Sequence, residues 1–109
     1  MIRNLTTGKL ISRGELHCKS LWSLAMGLRF RWPQVAVLYL PETRRASIDM
    51  GFVFYAIDVL FLDAAKKVVE IKRGLRPWRV YTPSKSWSYA VEIPSLKGYK
   101  ARLGDKLQF

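Results

Sequence analysis

The sequence predicts a mainly β domain, an antiparallel β-sandwich or jelly-roll-like barrel carrying one short helix near residues 20–27. Three observations lead there. Six or more short segments rich in apolar, β-branched and aromatic residues follow one another closely, separated by Gly, Pro and polar turn signals. Trp87, Tyr89, Val91 and Ile93 alternate with Ser88, Ala90 and Glu92, the period of two that a strand with two distinct faces requires. Val35 to Leu40 is a continuous apolar run ending at Pro41, the mark of a strand covered on both faces. At 109 residues the chain is a single domain over 1–109. Area scaling leaves about 6,200 Å² exposed from about 18,000 Å² unfolded, enough burial for one compact core.

Taken in order, Lys9 to Ile11 and Glu15 to Cys18, with Gly14 between them as a turn, predict a weak hairpin or a pair of edge strands. Ser20 is an N-cap residue, and the apolar positions 21, 22, 24, 25 and 28 fit about two turns of amphipathic helix stopped by Gly27. After the Val35–Leu40 strand, Glu42 to Arg45 connect to a second apolar stretch whose end, Ile57 to Leu62, is another buried strand. Asp63 to Lys67 form a turn, so Ile57–Leu62 and Val68–Lys72 predict an antiparallel hairpin. Trp78 to Tyr81 and Trp87 to Ile93 are strand chemistry. Leu96, Tyr99 and Leu103 fit one side of a short helical turn, and Asp105 to Phe109 close the chain with a last short strand.

Composition narrows the function classes. Half the residues are apolar and 25% are charged, which is globular rather than disordered. Nineteen Lys and Arg against eight Asp and Glu give a net charge of +11, which suits polyanionic partners, nucleic acid among them. Met1 to Ser20 contains no apolar signal stretch, and Met50 to Leu62 is interrupted by Asp58 and too short to span a bilayer. A cytoplasmic protein without membrane association is expected, as a monomer or weak homodimer. One Cys and one His exclude an intramolecular disulfide and a structural zinc site, and no cofactor is expected.

Several short motifs occur in a telling order: Gly27-Leu28-Arg29-Phe30-Arg31, Ser47-Ile48-Asp49-Met50, Ala56 to Asp63, Leu75-Arg76-Pro77-Trp78, Ala90-Val91-Glu92-Ile93-Pro94, and Gly104-Asp105-Lys106-Leu107. In that order they resemble the uncharacterised family called "domain of unknown function 192", in its short, single-domain archaeal-type form, over about residues 18–109. The resemblance implies a β-rich fold of sandwich or jelly-roll character and no established activity, substrate or cofactor. The sequence departs from the family pattern at three positions. Asp49 stands where the pattern has histidine, Ala56 where it has proline, and Arg29 where it often has methionine.

Asp49, Asp58 and Glu92 are carboxylates in apolar company. Such acids serve as structural ion pairs, as ligand-binding groups or as acid, base and cation ligands. Arg31 is the first candidate partner for Asp58 or Glu92, because guanidinium pairs bidentately with carboxylate. Trp78, between Pro77 and Arg79, has a loop-like setting in which a flat ring can stack on a sugar or base; the other three Trp read as core or groove wall. His17 and Cys18 are adjacent, so on a strand they face opposite ways and form no catalytic pair.

Lys66, Lys67, Lys72, Arg73, Arg76 and Arg79 form a basic run opposed only by Glu70 and interleaved with Trp78 and Tyr81. A solvated face is one reading. A groove that tracks phosphates while rings stack on bases is the other, and it would be sequence-tolerant, because no recognised nucleic-acid motif or phosphate-binding glycine loop is present. The leading expectation is a non-catalytic binding or structural module for a polar or anionic ligand, held near Arg31, Asp49, Asp58, Trp78 and Glu92. Non-specific nucleic-acid binding through 66–79 is second, and a metal-assisted hydrolase is third.

Overall fold

The computed structural model describes residues 1–20, 27–29 and 31–109. Among these described residues there are ten strands: β1 (Ile2–Asn4), β2 (Leu10–Ser12), β3 (Leu16–Cys18), β4 (Ala36–Arg44), β5 (Ile48–Asp49), β6 (Ile57–Leu62), β7 (Val68–Leu75), β8 (Val80–Tyr81), β9 (Trp87–Pro94) and β10 (Leu107–Gln108). The expected helix near 20–27, with Trp22, lies outside the described residues apart from Ser20 and Gly27. No described helix is long and apolar enough to cross a membrane.

The strands form a central five-stranded sheet in the order β3-β4-β9-β6-β7, a three-stranded sheet β10-β1-β2 and a two-stranded sheet β5-β8. Alternation along the central strands splits their side chains between two cores. On one face Val37, Leu60, Leu62, Val91 and Ile93 meet Ile2, Ile11 and Leu107 of the three-stranded sheet. On the other, Leu38, Val59, Phe61 and Ala90 meet Ile48 and Tyr81 of the two-stranded sheet. The mainly β expectation holds in this layered form. Among the described residues β3 and β7 remain edges, so no barrel closes. The folded surface is 6307 Å², close to the roughly 6,200 Å² that the mass implies.

The β6–β7 hairpin forms as its sequence requires, and every residue of β6 is buried. The Val35–Leu40 run is likewise covered on both sides, with Val35 and Val37 in one core and Ala36 and Leu38 in the other. Its strand passes Pro41, however, and continues to Arg44. Pro41 donates no ladder hydrogen bond, and the β4–β9 register shifts between Tyr39 and Arg44, so the proline sits in an irregularity.

Four details differ from the sequence-based expectation. β2 and β3 are edge strands but not a hairpin: β2 pairs with β1, and β3 runs parallel to β4, which the long connection from Cys18 to Ala36 permits. Trp87 does not share a face with Tyr89, Val91 and Ile93. The β4 irregularity ends at the Arg44–Trp87 pair, and the indole turns into the other core against Phe61, donating to the Ala46 carbonyl at 2.9 Å. Leu96 and Leu103 are exposed and 94–104 forms turns rather than helix. Finally, β1 was not anticipated. It is fixed by Asn4, fully buried, whose amide donates to Asp105 at 2.7 Å and to the Lys100 carbonyl at 3.1 Å while its oxygen accepts from Thr6 and Thr7.

Phe61 is fully buried between Tyr81 and Trp87. Phe61→Ala should lower the unfolding free energy by about 3–5 kcal/mol in urea titrations, the usual cost of emptying a buried aromatic site; a loss below about 1 kcal/mol would contradict this packing.

Candidate functional site

The face of the central sheet that carries Leu38, Val59 and Ala90 also carries Glu92. Strand alternation sends Val91 and Ile93 to one core, so Glu92 must point with Ala90 into the other. Its cross-strand neighbours are Ala36 and Val59. A cavity of about 230 Å³ opens there, lined by Leu28, Arg29, Leu38, Ser47, Asp49, Met50, Ile57 and Glu92 among others.

Glu92 is only 5% exposed, and no described residue donates a hydrogen bond to it. Burial pushes its carboxyl up to about 7, with the Arg29 guanidinium pulling the other way. Its charge is felt nearby. Tyr55 is pushed up to about 12, by burial first and by Glu92 next, and the buried Cys18 thiol is raised for the same two reasons.

Arg29 stands at the rim. It donates to the Gly51 carbonyl at 2.6 Å and lies 3.4 Å from the Asp49 carboxylate, while Asp49 accepts from the Gly51 amide at 2.8 Å. That amide bond, ahead of the Arg29 guanidinium, holds Asp49 below the usual carboxylate range even though burial opposes it. A Cβ on Gly51 would come within 2.7 Å of Arg29 Nη1 and 3.2 Å of Asp49 Oδ1, so any larger residue would push the guanidinium from this position. Two of the three positions at which the sequence leaves the family pattern are thus partners of each other. Those departures were the sequence signal for Arg29, which reasoning from carboxylates had passed over in favour of Arg31.

The five expected ligand-binding residues do not all meet. Asp49 and Glu92 line the cavity. Arg31 is exposed and its Nε donates to the Gly27 carbonyl at 3.0 Å; it forms no ion pair with Asp58 or Glu92, which corrects that expectation. Asp58 is opposite Ile93 in the sheet, on the reverse face from Glu92, and accepts from the Gly74 amide and the Ser95 hydroxyl, both at 2.8 Å. Trp78 lies beside the cavity loop, its amide bonded to the Met50 carbonyl at 3.0 Å. Among the described residues no three His, Cys, Asp or Glu side chains gather to hold a metal.

The basic run is divided in the same way. Lys66 reaches the Phe109 carbonyl at 3.0 Å and covers the Phe109 and Tyr89 rings, and Lys67 bridges to Lys106. Arg73 bonds the Tyr99 hydroxyl at 2.6 Å. Lys72, Arg76 and Arg79 share a separate open groove of about 370 Å³. His17 is exposed and Cys18 buried, facing oppositely as adjacent strand residues must.

Two measurements check these assignments. Because Glu92 rises from 4.5 to about 7 on folding, the folded chain holds that proton more tightly, and its stabilising effect, full below pH 4.5, is lost as pH rises through 7. Glu92→Gln should therefore gain on the wild type by about 2–3 kcal/mol between pH 5 and pH 8 in urea titrations; a constant difference across that range would refute a buried, proton-coupled carboxyl. Asp58→Ala should cost about 1–3 kcal/mol in urea titrations, for two part-buried hydrogen bonds lost together, and a neutral result would rule out a structural contribution.

The comparisons with known proteins agree with this architecture. A family model, DUF192, described as Uncharacterized ACR, COG1430, matches residues 17–109. A UPF0127 protein of Pyrococcus furiosus is 36% identical, covering 97% of this chain and 95% of its own length. One from Thermococcus sibiricus is 43% identical over all of this chain and 74% of its own. Among solved structures, one from Sinorhizobium meliloti 1021, provisionally described as a transcription regulator, superposes with a TM-score of 0.85 at 18% identity, covering 98% of this chain and 90% of that one. At that identity the likeness is one of fold. The chain belongs to the uncharacterised family DUF192, alongside the UPF0127 proteins of Pyrococcus and Thermococcus.

Proposed function

We propose that the chain is a non-catalytic binding domain that takes a small polar or anionic ligand into the cavity between Glu92 and Arg29. The observation that carries this reading is Glu92, only 5% exposed, set in a cavity of about 230 Å³ that Arg29 and Asp49 also line. A carboxyl set among apolar side chains is costly to charge unless it is hydrogen-bonded. A ligand hydroxyl or amine would satisfy it. Arg29, at the rim, offers its guanidinium to a ligand carboxylate, carbonyl or phosphate in competition with the exposed Asp49. The volume equals about seven or eight waters at about 30 Å³ each, so the ligand is small, a hydroxy acid or monosaccharide rather than a nucleotide.

Binding is favoured over catalysis because the carboxylates are not arranged as a pair. Asp58 is engaged on the other face, and Asp49 is held by Arg29 and the Gly51 amide.

Thermal-shift and calorimetric titration with hydroxy acids, monosaccharides and nucleoside phosphates tests the reading. A ligand at 100 times its Kd adds about 2.7 kcal/mol. For a domain of this size that is about 10–20 °C in Tm. The gain should vanish in Arg29→Met and fall at least tenfold in affinity in Glu92→Ala. Silence across the panel, or equal stabilisation of wild type and both variants, would remove the cavity as a binding site.

A further inference from the structure

On the outside of the loop that walls the cavity lies a second feature with a different chemistry. The positive-φ residues other than glycine among those described are Phe52 (φ 60), Lys66 (φ 63) and Trp78 (φ 67). A bulky side chain in that region is sterically strained, and such strain persists where the surrounding structure enforces it. Phe52 and Trp78 touch each other, ring centroids 5.0 Å apart at 67°, and Phe54 adds a second edge contact to Trp78 at 5.9 Å and 75°. All three rings remain substantially exposed, Trp78 at 57%. The backbone beneath is locked: Met50 accepts from the Trp78 amide at 3.0 Å and donates to the Arg79 carbonyl at 2.8 Å, and its own side chain is buried. Two strained segments are therefore fastened together so that an indole, braced edge-on by two phenyl rings, stands at the surface.

The groove next to it is lined by Lys72, Arg76 and Arg79 and by no acid. Arg76 and Arg79 flank Trp78 in the chain, and among the described residues none of the three cations has a carboxylate within ion-pair distance. The one acid of this segment, Glu70, is already taken by the Tyr81 hydroxyl, Ser84 and the Lys85 amide. Lys72 lies over the Tyr81 ring at 5.2 Å, but a concave row of three cations unpaired with carboxylates, beside a rigid π surface, matches a flexible chain of phosphates that carries unstacked bases. The exposed rings alone would also suit a bilayer, but the cations line a groove, which a chain of phosphates can enter and a flat headgroup surface cannot, and a neutral sugar has no use for the cations.

We propose that the Lys72–Arg76–Arg79 groove and the Trp78 platform form a sequence-tolerant docking site for single-stranded nucleic acid. Phosphates occupy the groove and a base stacks on the indole. The site is separate from the Glu92 cavity and does not depend on it.

Fluorescence anisotropy with labelled ten-residue oligodeoxythymidine, the same length of duplex, and vesicles rich in phosphatidylserine tests this. The single strand should bind with a Kd of about 10⁻⁴ to 10⁻⁶ M at physiological salt, ahead of the duplex, and with a slope of log K against log salt of about −2 for three contacts on a single strand. Arg76→Ala with Arg79→Ala should shift that slope by about 1.4 toward zero. Trp78→Ala should weaken binding by about 5- to 100-fold at unchanged slope. Trp78→Gly, which suits the positive φ, should do the same while keeping the fold, as circular dichroism would show. Salt-dependent binding that neither Trp78 variant weakens would reduce the site to a plain basic surface and overturn the proposal. So would tighter binding to vesicles than to the oligonucleotide, or a dimer that Trp78→Gly dissolves. Glu92→Ala should leave oligonucleotide binding unchanged, so failure here is distinguishable from failure of the cavity reading.

Discussion

The register between β6 and β9 is the constraint on which the rest of the molecule depends. Ile57 to Leu62 pair without interruption against Pro94 to Tyr89. Because side chains alternate, that one alignment decides which residues enter which core. It sets Val59 beside Glu92 and Asp58 beside Ile93, and so places the two inner-strand carboxylates on opposite sides of the sheet. A slip of one residue would exchange every side chain between the faces and drive Asp58 into the layer that now holds Phe61 and Val59. Both cores resist that slip, since every residue of β6 is buried and neither face can accept water.

The consequences for charge follow from depth. Asp58 sits where the β7 backbone and Ser95 can reach it, and it is a bonded strut. Glu92 sits between Ala36 and Val59, whose side chains offer no donors, so its proton affinity is set by the lack of water. The Arg29–Asp49 pair at the rim differs again. Asp49 is more than half exposed, and pairs of that kind contribute about 0–1 kcal/mol. Its effect is positional: with the Gly51 contacts it fixes where the guanidinium stands.

How much of this the sequence revealed can be traced residue by residue. The β6–β7 hairpin, the two-sided burial of Val35 to Leu38 and the strand at 87–93 were legible because apolar periodicity and turn residues act locally. Trp87 was misplaced because period two in the sequence does not show where a ladder breaks, and the β4–β9 register shifts between Tyr39 and Arg44, just where Trp87 pairs. The sheet membership of β2 and β3 was hidden for a related reason: Gly14 marks a change of direction without saying which neighbour the next strand will find. At the site, Asp49, Glu92 and Trp78 could be picked out by residue type. The pairing of Arg29 rather than Arg31 could not be read from residue type, since alternate residues in a loop carry no rule that assigns one of them to a distant carboxylate; only the joint departure of Arg29 and Asp49 from the family pattern pointed to it. The burial of Asn4 left no sequence signal at all beyond the residue itself.

That asparagine has a kinetic meaning. Its amide clamps Asp105 across 101 positions of chain, and β1 lies between β2 and β10, so the three-stranded sheet is built from the two extremities of the described polypeptide. Closing so long a loop carries an entropic cost that only late, non-local contacts repay, and topologies of this kind fold slowly. On a ribosome the central hairpin at Ile57–Leu75 can pair as soon as it emerges, but the core around Ile2, Ile11 and Leu107 must wait for the last strand. Until then a sheet face bearing Leu60, Leu62, Val91 and Ile93 stands uncovered. A net charge far from zero, +11 here, sets such open chains against one another and so disfavours their association.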